Sequence, residues 1–235
     1  MAKIVIFTGA GISAESGINT FRDSDGLWEQ HRIEDVCTKG CLETNREATV
    51  SFYDARRLDL ETKKPNKAHY EVAKLKEKYP DKIAIITQNI DNLFEKAGCD
   101  DVIHVHGFLT QIKCQSCEYI EDIGCTKQDD AWENCPMCKS GLRPNVVFFG
   151  ERAPYYEDMF KEIDDCEYLV VIGTSGAVLC VDLMIGKEMK HTVLNNLEPS
   201  SSLNHKKFKK VLFKPATQAI DEIVQDIEKF LKDQQ

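Results

Sequence analysis

With 235 residues, 42% of them hydrophobic and 29% charged, the chain can bury a full core, as one large domain carrying an insertion or one domain plus a small module. Thirty-nine acidic against 30 basic side chains leave a net charge of −9, which argues against a sequence-independent grip on nucleic acid and favours basic, lysine-bearing partners. The apolar run Ile4-Val5-Ile6-Phe7 is too short for a signal peptide, and no stretch approaches the ~18 apolar residues of a membrane span, so a cytoplasmic protein is expected. Ten cysteines in that compartment point to metal binding rather than disulfides.

Lys3-Ile4-Val5-Ile6-Phe7 reads as a buried strand, feeding through Thr8-Gly9-Ala10-Gly11-Ile12-Ser13-Ala14 into a helix N-terminus. Gly9, Gly11 and Ala14 fit G-x-G-x-x-G/A, in which missing side chains let the backbone approach a pyrophosphate. A plain packing turn has the same spacing. Asp23 to Glu29 holds acids at about the ~20-residue distance of a ribose-binding carboxylate, but no second strand follows to carry one, unlike an ordinary dehydrogenase crossover. The polar stretch through Phe21, Arg22 and Trp28 is long for a βα connection, and its aromatic residues suit either a flap over a ligand or an anchor to the core.

Residues 47–60 predict a helix with Val50, Tyr53 and Leu60 on one side. Tyr53 and Arg56, at i and i+3, share a face and could form a carboxylate receptor; a solvated helix face carries the same pattern. A second helix is expected from Asn66 to Tyr79. Ile83-Ala84-Ile85-Ile86-Thr87 reads as another buried strand, with Gln88, Asn89, Ile90 and Asp91 at its carboxyl end, where open α/β sheets bind ligands and where helix caps also sit. Val102 to Gly107 reads as one short strand with His104 and His106 on a common face, either able to serve as a base, His106 with the freer approach.

Cys114-x-x-Cys117 and Cys135-x-x-Cys138 lie 17 residues apart, inside the spacing of a zinc ribbon. Four thiolates saturate zinc and leave no position for water, so the site is structural; Cys125 lies between the pairs and matches neither knuckle. Acidic side chains outnumber basic ones in residues 110–143, against a nucleic-acid-binding ribbon. Beyond it, 142–151 reads as a strand, the ribbon being inserted between two strands of the main sheet; 168–172 reads likewise, followed by the turn Gly173-Thr174-Ser175-Gly176, then 191–196 and 211–213. Ile220, Ile223, Val224, Ile227, Phe230 and Leu231 give an amphipathic helix packed on the sheet.

Taken in order, GAGISAESGINTFR from Gly9, TQNIDNL from Thr87, HVHG from His104, the four cysteines, NVVFFGE from Asn145, GTS from Gly173 and NLEPS from Asn196 resemble the sirtuins, NAD-dependent protein lysine deacylases, over nearly the whole chain. The resemblance implies an α/β fold, a doubly wound parallel sheet of Rossmann type with a zinc-ribbon and helical small domain. Its parts would be 1–30, 80–109 and 144–235 for NAD binding, 31–79 as a helical insertion and 110–143 as the ribbon. It implies NAD as co-substrate, one structural zinc, acyl-lysine proteins or peptides as partners, no nucleic acid or membrane, and a monomer.

By the same resemblance, Gly9, Ala10, Gly11, Ser13, Phe21 and Arg22 would hold the diphosphate and nicotinamide ribose. Gln88, Asn89, Ile90 and Asp91 would surround the nicotinamide end, Asn89 with a catalytic part. Gly173, Thr174, Ser175, Asn196, Leu197, Glu198 and Ala216 would line the adenosine half. In the family reaction the acyl oxygen attacks the ribose anomeric carbon as nicotinamide leaves, and His106 would then act as general base on the ribose hydroxyl, giving free lysine and O-acyl-ADP-ribose. Tyr53-x-x-Arg56 matches the subgroup that removes succinyl and malonyl groups, and bacterial enzymes similar to this one also remove acetyl. Val147 and Phe149, with Phe148 between them, would border the acyl-lysine channel, the substrate pairing with this edge as an added strand. The chain departs from the family pattern at Cys180-Val181, Phe94 and Lys214. A sirtuin-like protein ADP-ribosyltransferase is the alternative.

Overall fold

The computed structural model describes residues 4–19, 27–28, 31–129, 132–187 and 189–233. In chain order these form β1 (Ile4–Thr8), β2 (Leu27–Trp28), β3 (His31–Arg32), α1 (Ile33–Val36), α2 (Cys41–Thr44), α3 (Arg46–Thr62), α4 (Lys67–Lys78), β4 (Ile83–Thr87), α5 (Leu93–Lys96) and β5 (Val102–His104). There follow β6 (Gly107–Cys114), β7 (Ile120–Asp122), β8 (Leu142–Val146), α6 (Tyr156–Asp164), β9 (Tyr168–Ile172), β10 (His191–Asn196), β11 (Lys210–Phe213) and α7 (Ala216–Lys232).

The main sheet runs β11-β10-β9-β1-β4-β5, every pair parallel. Counted in chain order, its strands lie 3-2-1-4-5-6, the doubly wound order that opens a crevice at the carboxyl ends where the winding reverses, here between β1 and β9. β1, β4 and β9 are buried throughout because both sheet faces are covered, which is why they read as continuous apolar runs rather than alternating ones. On one face, Ile4, Ile6, Ile83, Ile85 and Val170 meet α4 and α7 through Val72, Ile220 and Ile223; on the other, Val5, Phe7, Ile86 and Val171 meet Met159 and Ile163 of α6.

The structure departs from the sequence reading at three places. Gly9-Ala10-Gly11 leads not into an α-helix but into two 3-10 turns, Ala10–Ile12 and Ala14–Ser16, ending at Gly17 in the left-handed region. The strand expected from 102 to 107 stops at His104; Val105 and His106 form a turn, and Gly107 starts β6 in another sheet. Gly107 has φ +92°, and a Cβ there would overlap the Asn145 carbonyl, so the change of direction needs glycine. Finally, 142–146 does not return to the main sheet: β8 pairs antiparallel with β6, which also pairs β7, so the small sheet reaches beyond 110–143.

A buried ion pair fastens the helical insertion to this small sheet. Arg57, with no exposed surface, donates from Nη2 to Asp54 Oδ1 (2.5 Å), from Nη1 to the Leu109 carbonyl (3.2 Å) and from Nε to the Thr126 carbonyl (3.1 Å). Asp54 Oδ1 also accepts the Gln128 N–H at 2.9 Å. A guanidinium with all its surface removed from water is tolerable only because these acceptors replace the water. Arg57→Met strands the Asp54 carboxylate and is expected to cost about 3 kcal/mol in denaturant unfolding, a good part of it regained in the Asp54→Asn/Arg57→Met double variant. Equal stability of wild type and Arg57→Met would contradict this role.

Candidate functional site

The carboxyl ends of all six parallel strands open on one cavity of about 710 Å³. Its wall includes Gly9, Ala10, Gly11 and Ser13 after β1; Gln88, Asn89, Ile90 and Asp91 after β4; and His106 beyond β5. Gly173, Thr174 and Ser175 follow β9, Asn196, Leu197 and Glu198 end β10, and Ala216 opens α7; Arg56, Val147 and Phe149 join from the insertion and the end of β8. The expected site residues on the described chain therefore meet at one place, except Tyr53 and the four cysteines, which do not line the cavity. Phe21 and Arg22 lie outside the described residues.

The two glycine turns are glycine because they touch. A Cβ on Gly11 would stand 2.6 Å from Gly173 Cα, and one on Gly173, at φ +71°, would stand 2.5 Å from the Ile12 nitrogen. The Gly11 N–H donates to the Gly173 carbonyl (2.8 Å) and the Gly9 N–H to the Ile172 carbonyl (2.9 Å). Both amides are thus used within the protein. Thr174 is braced in turn, its hydroxyl accepting from Gln88 Nε2 (2.9 Å) and its carbonyl from Asn196 Nδ2 (2.9 Å).

Ser13 is the polar hub of the cavity wall beside the turn after β4. Its fully buried hydroxyl donates to Asp91 Oδ2 (2.9 Å) and accepts from Asn89 Nδ2 (3.0 Å). The third neighbour is His69 of α4, Nε2 at 3.4 Å. The Asn66 N–H donates to His69 Nδ1 (3.3 Å) in a capping box, so Nδ1 is unprotonated and Nε2–H points at the serine. Burial pushes His69 down to about 4, keeping the ring neutral. Burial likewise pushes the Asp91 carboxyl above its ordinary range, although the Leu93 N–H and the Ser13 hydroxyl both donate to it. Phe94 packs edge-on to the His69 ring at 5.1 Å.

His104 and His106 each place Nδ1 on a carbonyl of the turn after β4, His104 on Asn89 (3.0 Å) and His106 on Gln88 (3.1 Å). His104 then turns to Glu95 Oε1 (2.9 Å), away from the cavity wall that His106 joins. A carbonyl only accepts, so His106 carries its proton on Nδ1, and burial holds the ring below its ordinary range, leaving Nε2 as an unprotonated lone pair. Tyr156 Oη lies 3.1 Å from that nitrogen.

Arg56 also lies on the cavity wall, with Cys37, Asp59, Leu60 and Phe148. Its guanidinium sits 3.7 Å over the Phe52 ring and donates from Nη1 to the Phe52 carbonyl (2.7 Å). Tyr53 is fully buried behind this wall, stacked on Phe148 at 5.6 Å, and donates to Cys37 Sγ (3.3 Å); burial pushes that thiol up to about 11, so it stays protonated. Glu151 shapes the neighbouring loop. It takes Arg143 on both oxygens (2.5 and 3.1 Å) and the Phe148 N–H (2.9 Å); although burial opposes it, the guanidinium holds the carboxyl below its ordinary range.

Strand addition along 147–149 meets an obstacle. The Val147 N–H donates to His106 O, the Phe148 N–H to Glu151 and the Phe149 N–H to Cys37 O, so no donor of this edge is left for a peptide.

The four cysteine sulfurs lie within 4.8 Å of one another, Cys114–Cys138 at 3.4 Å and Cys117–Cys135 at 3.6 Å. A tetrahedron with Zn–S near 2.3 Å sets its sulfurs about 3.8 Å apart, so the donor set fits one zinc ion. The cluster lies away from the cavity and has a structural role.

Motif reading missed His69, Tyr156, Cys37 and the Arg143–Glu151 pair as parts of the site. His69 sits three residues after Asn66, the N3 place of a capping box, and that was its only local signal. Tyr156 and Cys37 reach the site only through tertiary packing.

The Sir2 family matches residues 9–180. An NAD-dependent protein deacylase of Campylobacter jejuni (strain RM1221) is 44% identical over 234 residues, 99% of each chain. One of Escherichia coli (strain K12) is 40% identical, covering 98% of this chain and 84% of its own. Among solved structures, a Sir2 homologue in complex with NAD superposes with TM-score 0.84 at 33% identity, over 97% of this chain and 90% of that one. A Sir2 bound to an acetylated peptide gives 0.77 at 26% identity, over 95% and 92%.

Two outcomes follow from the site's chemistry. His69 is harder to protonate folded than unfolded, so its contribution is fully present above about pH 6.5 and lost as pH falls toward 4, a change of about 3 kcal/mol. His69→Gln should flatten that part of the stability–pH curve; an unchanged slope would contradict a buried neutral ring. Removing zinc with a chelator should release about one equivalent per chain and lower the melting temperature, and Cys138→Ser should do the same. A chain that yields no zinc and melts unchanged would overturn the assignment.

Proposed function

Because the chain belongs to the Sir2 family and is an NAD-dependent protein deacylase, we propose that it removes succinyl and malonyl groups as well as acetyl from lysine side chains. One observation carries this reading: Arg56 and His106 line the same cavity. A guanidinium there can pair with the distal carboxylate of an acyl chain whose other end is at the reacting carbon.

The residues present fit NAD. The cavity combines glycine turns free of side chains with convergent buried polar groups, Ser13, Asp91, Thr174 and Asn196. Bound there, NAD supplies an electrophilic ribose carbon with nicotinamide as leaving group. Gly9, Ala10, Gly11 and Ser13 would hold its diphosphate and ribose, with Phe21 and Arg22 proposed to join them. Gln88, Asn89, Ile90 and Asp91 orient the nicotinamide end, the Ser13 hydroxyl fixing Asn89 and Asp91 against each other. Gly173, Thr174, Ser175, Asn196, Leu197, Glu198 and Ala216 line the adenosine half.

Glu15 ties that half together, accepting the Thr217 N–H (3.0 Å) and hydroxyl (2.7 Å) at the start of α7. His106 takes a proton from a ribose hydroxyl on Nε2, while the Gln88 carbonyl holds Nδ1–H and stabilises the imidazolium that forms. Val147, Phe148 and Phe149 border the acyl-lysine, with contacts other than N–H donation from this edge. For a carboxylated acyl chain, Tyr53 serves by turning its hydroxyl from Cys37 or by supporting the wall from behind.

We further propose that the protein acts as a monomer in the cytoplasm, without nucleic-acid or membrane partners. None of its ten cysteines forms a disulfide, and among the described residues no helix is long and apolar enough to cross a membrane. The division into 1–30, 80–109 and 144–235 for NAD binding, 31–79 as helical insertion and 110–143 as ribbon is part of the same reading, with β6 and β8 running past the last boundaries.

Arg56→Met is expected to lower kcat/KM for succinyl-lysine peptide roughly a hundredfold, the scale of a lost charge-assisted pair, with acetyl-lysine turnover largely kept. Equal loss of both would make Arg56 a structural residue. His106→Tyr should abolish both activities in a protein that melts as a folded chain; retained activity would remove His106 from the mechanism.

A further inference from the structure

His106 presents one usable lone pair to the cavity, and it is already occupied. Because Nδ1–H is held by the Gln88 carbonyl, the neutral ring accepts only at Nε2, and the group donating there is the Tyr156 hydroxyl at 3.1 Å. Tyr156 lines the same cavity and is half-buried. Its ring lies between the His106 ring, at 6.2 Å and tilted 50°, and the Phe160 ring, at 6.4 Å and nearly perpendicular. An imidazole nitrogen has a single in-plane lone pair. A ribose hydroxyl that is to hand its proton to Nε2 must therefore take the position the phenol holds.

We propose that Tyr156 is a positioning residue for the base, its hydroxyl keeping the Nε2 place of His106 until the reacting ribose hydroxyl displaces it. The proposal rests on the reading of His106 as general base. While it is in place the phenol occupies the Nε2 lone pair and keeps bulk water off it, so that the ribose hydroxyl has to compete for that position. Its mounting suits an exchange. Tyr156 is the first residue of α6, while Met159 and Ile163, almost wholly buried, anchor the rest of the helix on the sheet. The phenol can thus swing into the cavity about its own side-chain torsions without moving the helix. Once it leaves, the ribose O–H bond breaks as the Nε2–H bond forms, and the freed oxygen electron pair makes the bond to the acyl carbon, whose C=N π pair moves onto the lysine nitrogen. Tyr156 neither gains nor loses a proton in that step.

Tyr156→Phe keeps the ring and removes only the donor, so it separates competition from packing. The measurement is the ratio of deacylation to nicotinamide exchange, with acetyl-lysine peptide and NAD, because exchange reports glycosidic cleavage before the base acts. Tyr156→Phe is expected to raise that ratio about fivefold, the scale of one neutral hydrogen bond that no longer has to be exchanged. In nitrogen-15 spectra of the ligand-free protein, the His106 Nε2 resonance should move in Tyr156→Phe. An unmoved resonance with an unchanged ratio would overturn the proposal, as would a lower ratio, which would make the phenol a helper of the base rather than its competitor. A parallel fall in both rates with a lower melting temperature would also overturn it, in favour of a packing role. His106→Asn separates the premise from the proposal. Loss of deacylation with exchange retained upholds the base, whereas retained deacylation removes the base whatever Tyr156→Phe does.

Discussion

Gly11 and Gly173 meet backbone to backbone where the winding of the sheet reverses, and the rest of the site is built outward from that contact. Neither position has room for a Cβ, and the N–H of one turn donates to the carbonyl of the other. The turn after β1, which leads into Ser13, is thereby fixed against the turn after β9, which carries Thr174. Gln88 then bridges to Thr174 from β4, and Asn196 from β10, so four strand ends share one frame. For the proposed reaction such a frame matters because it can hold two reactants in a fixed mutual orientation.

Within that frame the polar groups are arranged so that their neutral or charged states follow from burial and partners. His69 stays neutral under its burial and gives its one N–H to Ser13; Ser13 passes a hydrogen bond to Asp91 and accepts one from Asn89. His106 also stays neutral, with its proton fixed on the nitrogen away from the cleft. The acyl end works differently. There Arg143 and Glu151 neutralise each other beneath Phe148 and stiffen the loop, while Arg56 lines the cavity wall in the region proposed to take the acyl chain. The four cysteines do not line the cavity, and the buried Arg57–Asp54 pair helps to join their sheet to the helix that carries Arg56.

Sequence alone carried the strands well, because β1, β4 and β9 are covered on both faces and so appear as unbroken apolar runs. The cysteine spacing and the C-terminal helix were equally plain. Two readings failed for local reasons: Val102 to Gly107 has a strand's alternation, yet Gly107 redirects the chain, and apolar residues after Arg143 belong to an antiparallel sheet whose partner lies across the ribbon. Tyr53-x-x-Arg56 illustrates another limit. The i, i+3 spacing puts both on one flank of α3, but burial turned Tyr53 toward Cys37 and left Arg56 at the cavity, while the adjacent Arg57 went into the core. Which of two neighbouring arginines faces a site depends on what packs against the helix, and no spacing encodes that. The site roles of His69 and Tyr156 were hidden for the same reason, since the site partners Ser13 and His106 are 56 and 50 residues away in the chain.

The most direct measurement is nicotinamide release from NAD with acetyl-lysine, succinyl-lysine and unmodified peptides compared side by side, with the second product identified. Release that requires an acyl peptide and yields O-acyl-ADP-ribose and free lysine is the predicted result, with the succinyl peptide turned over as well as the acetyl one. Release that proceeds equally with unmodified peptide, leaving ADP-ribose attached to protein, would contradict the account and make the cleft that of an ADP-ribosyltransferase.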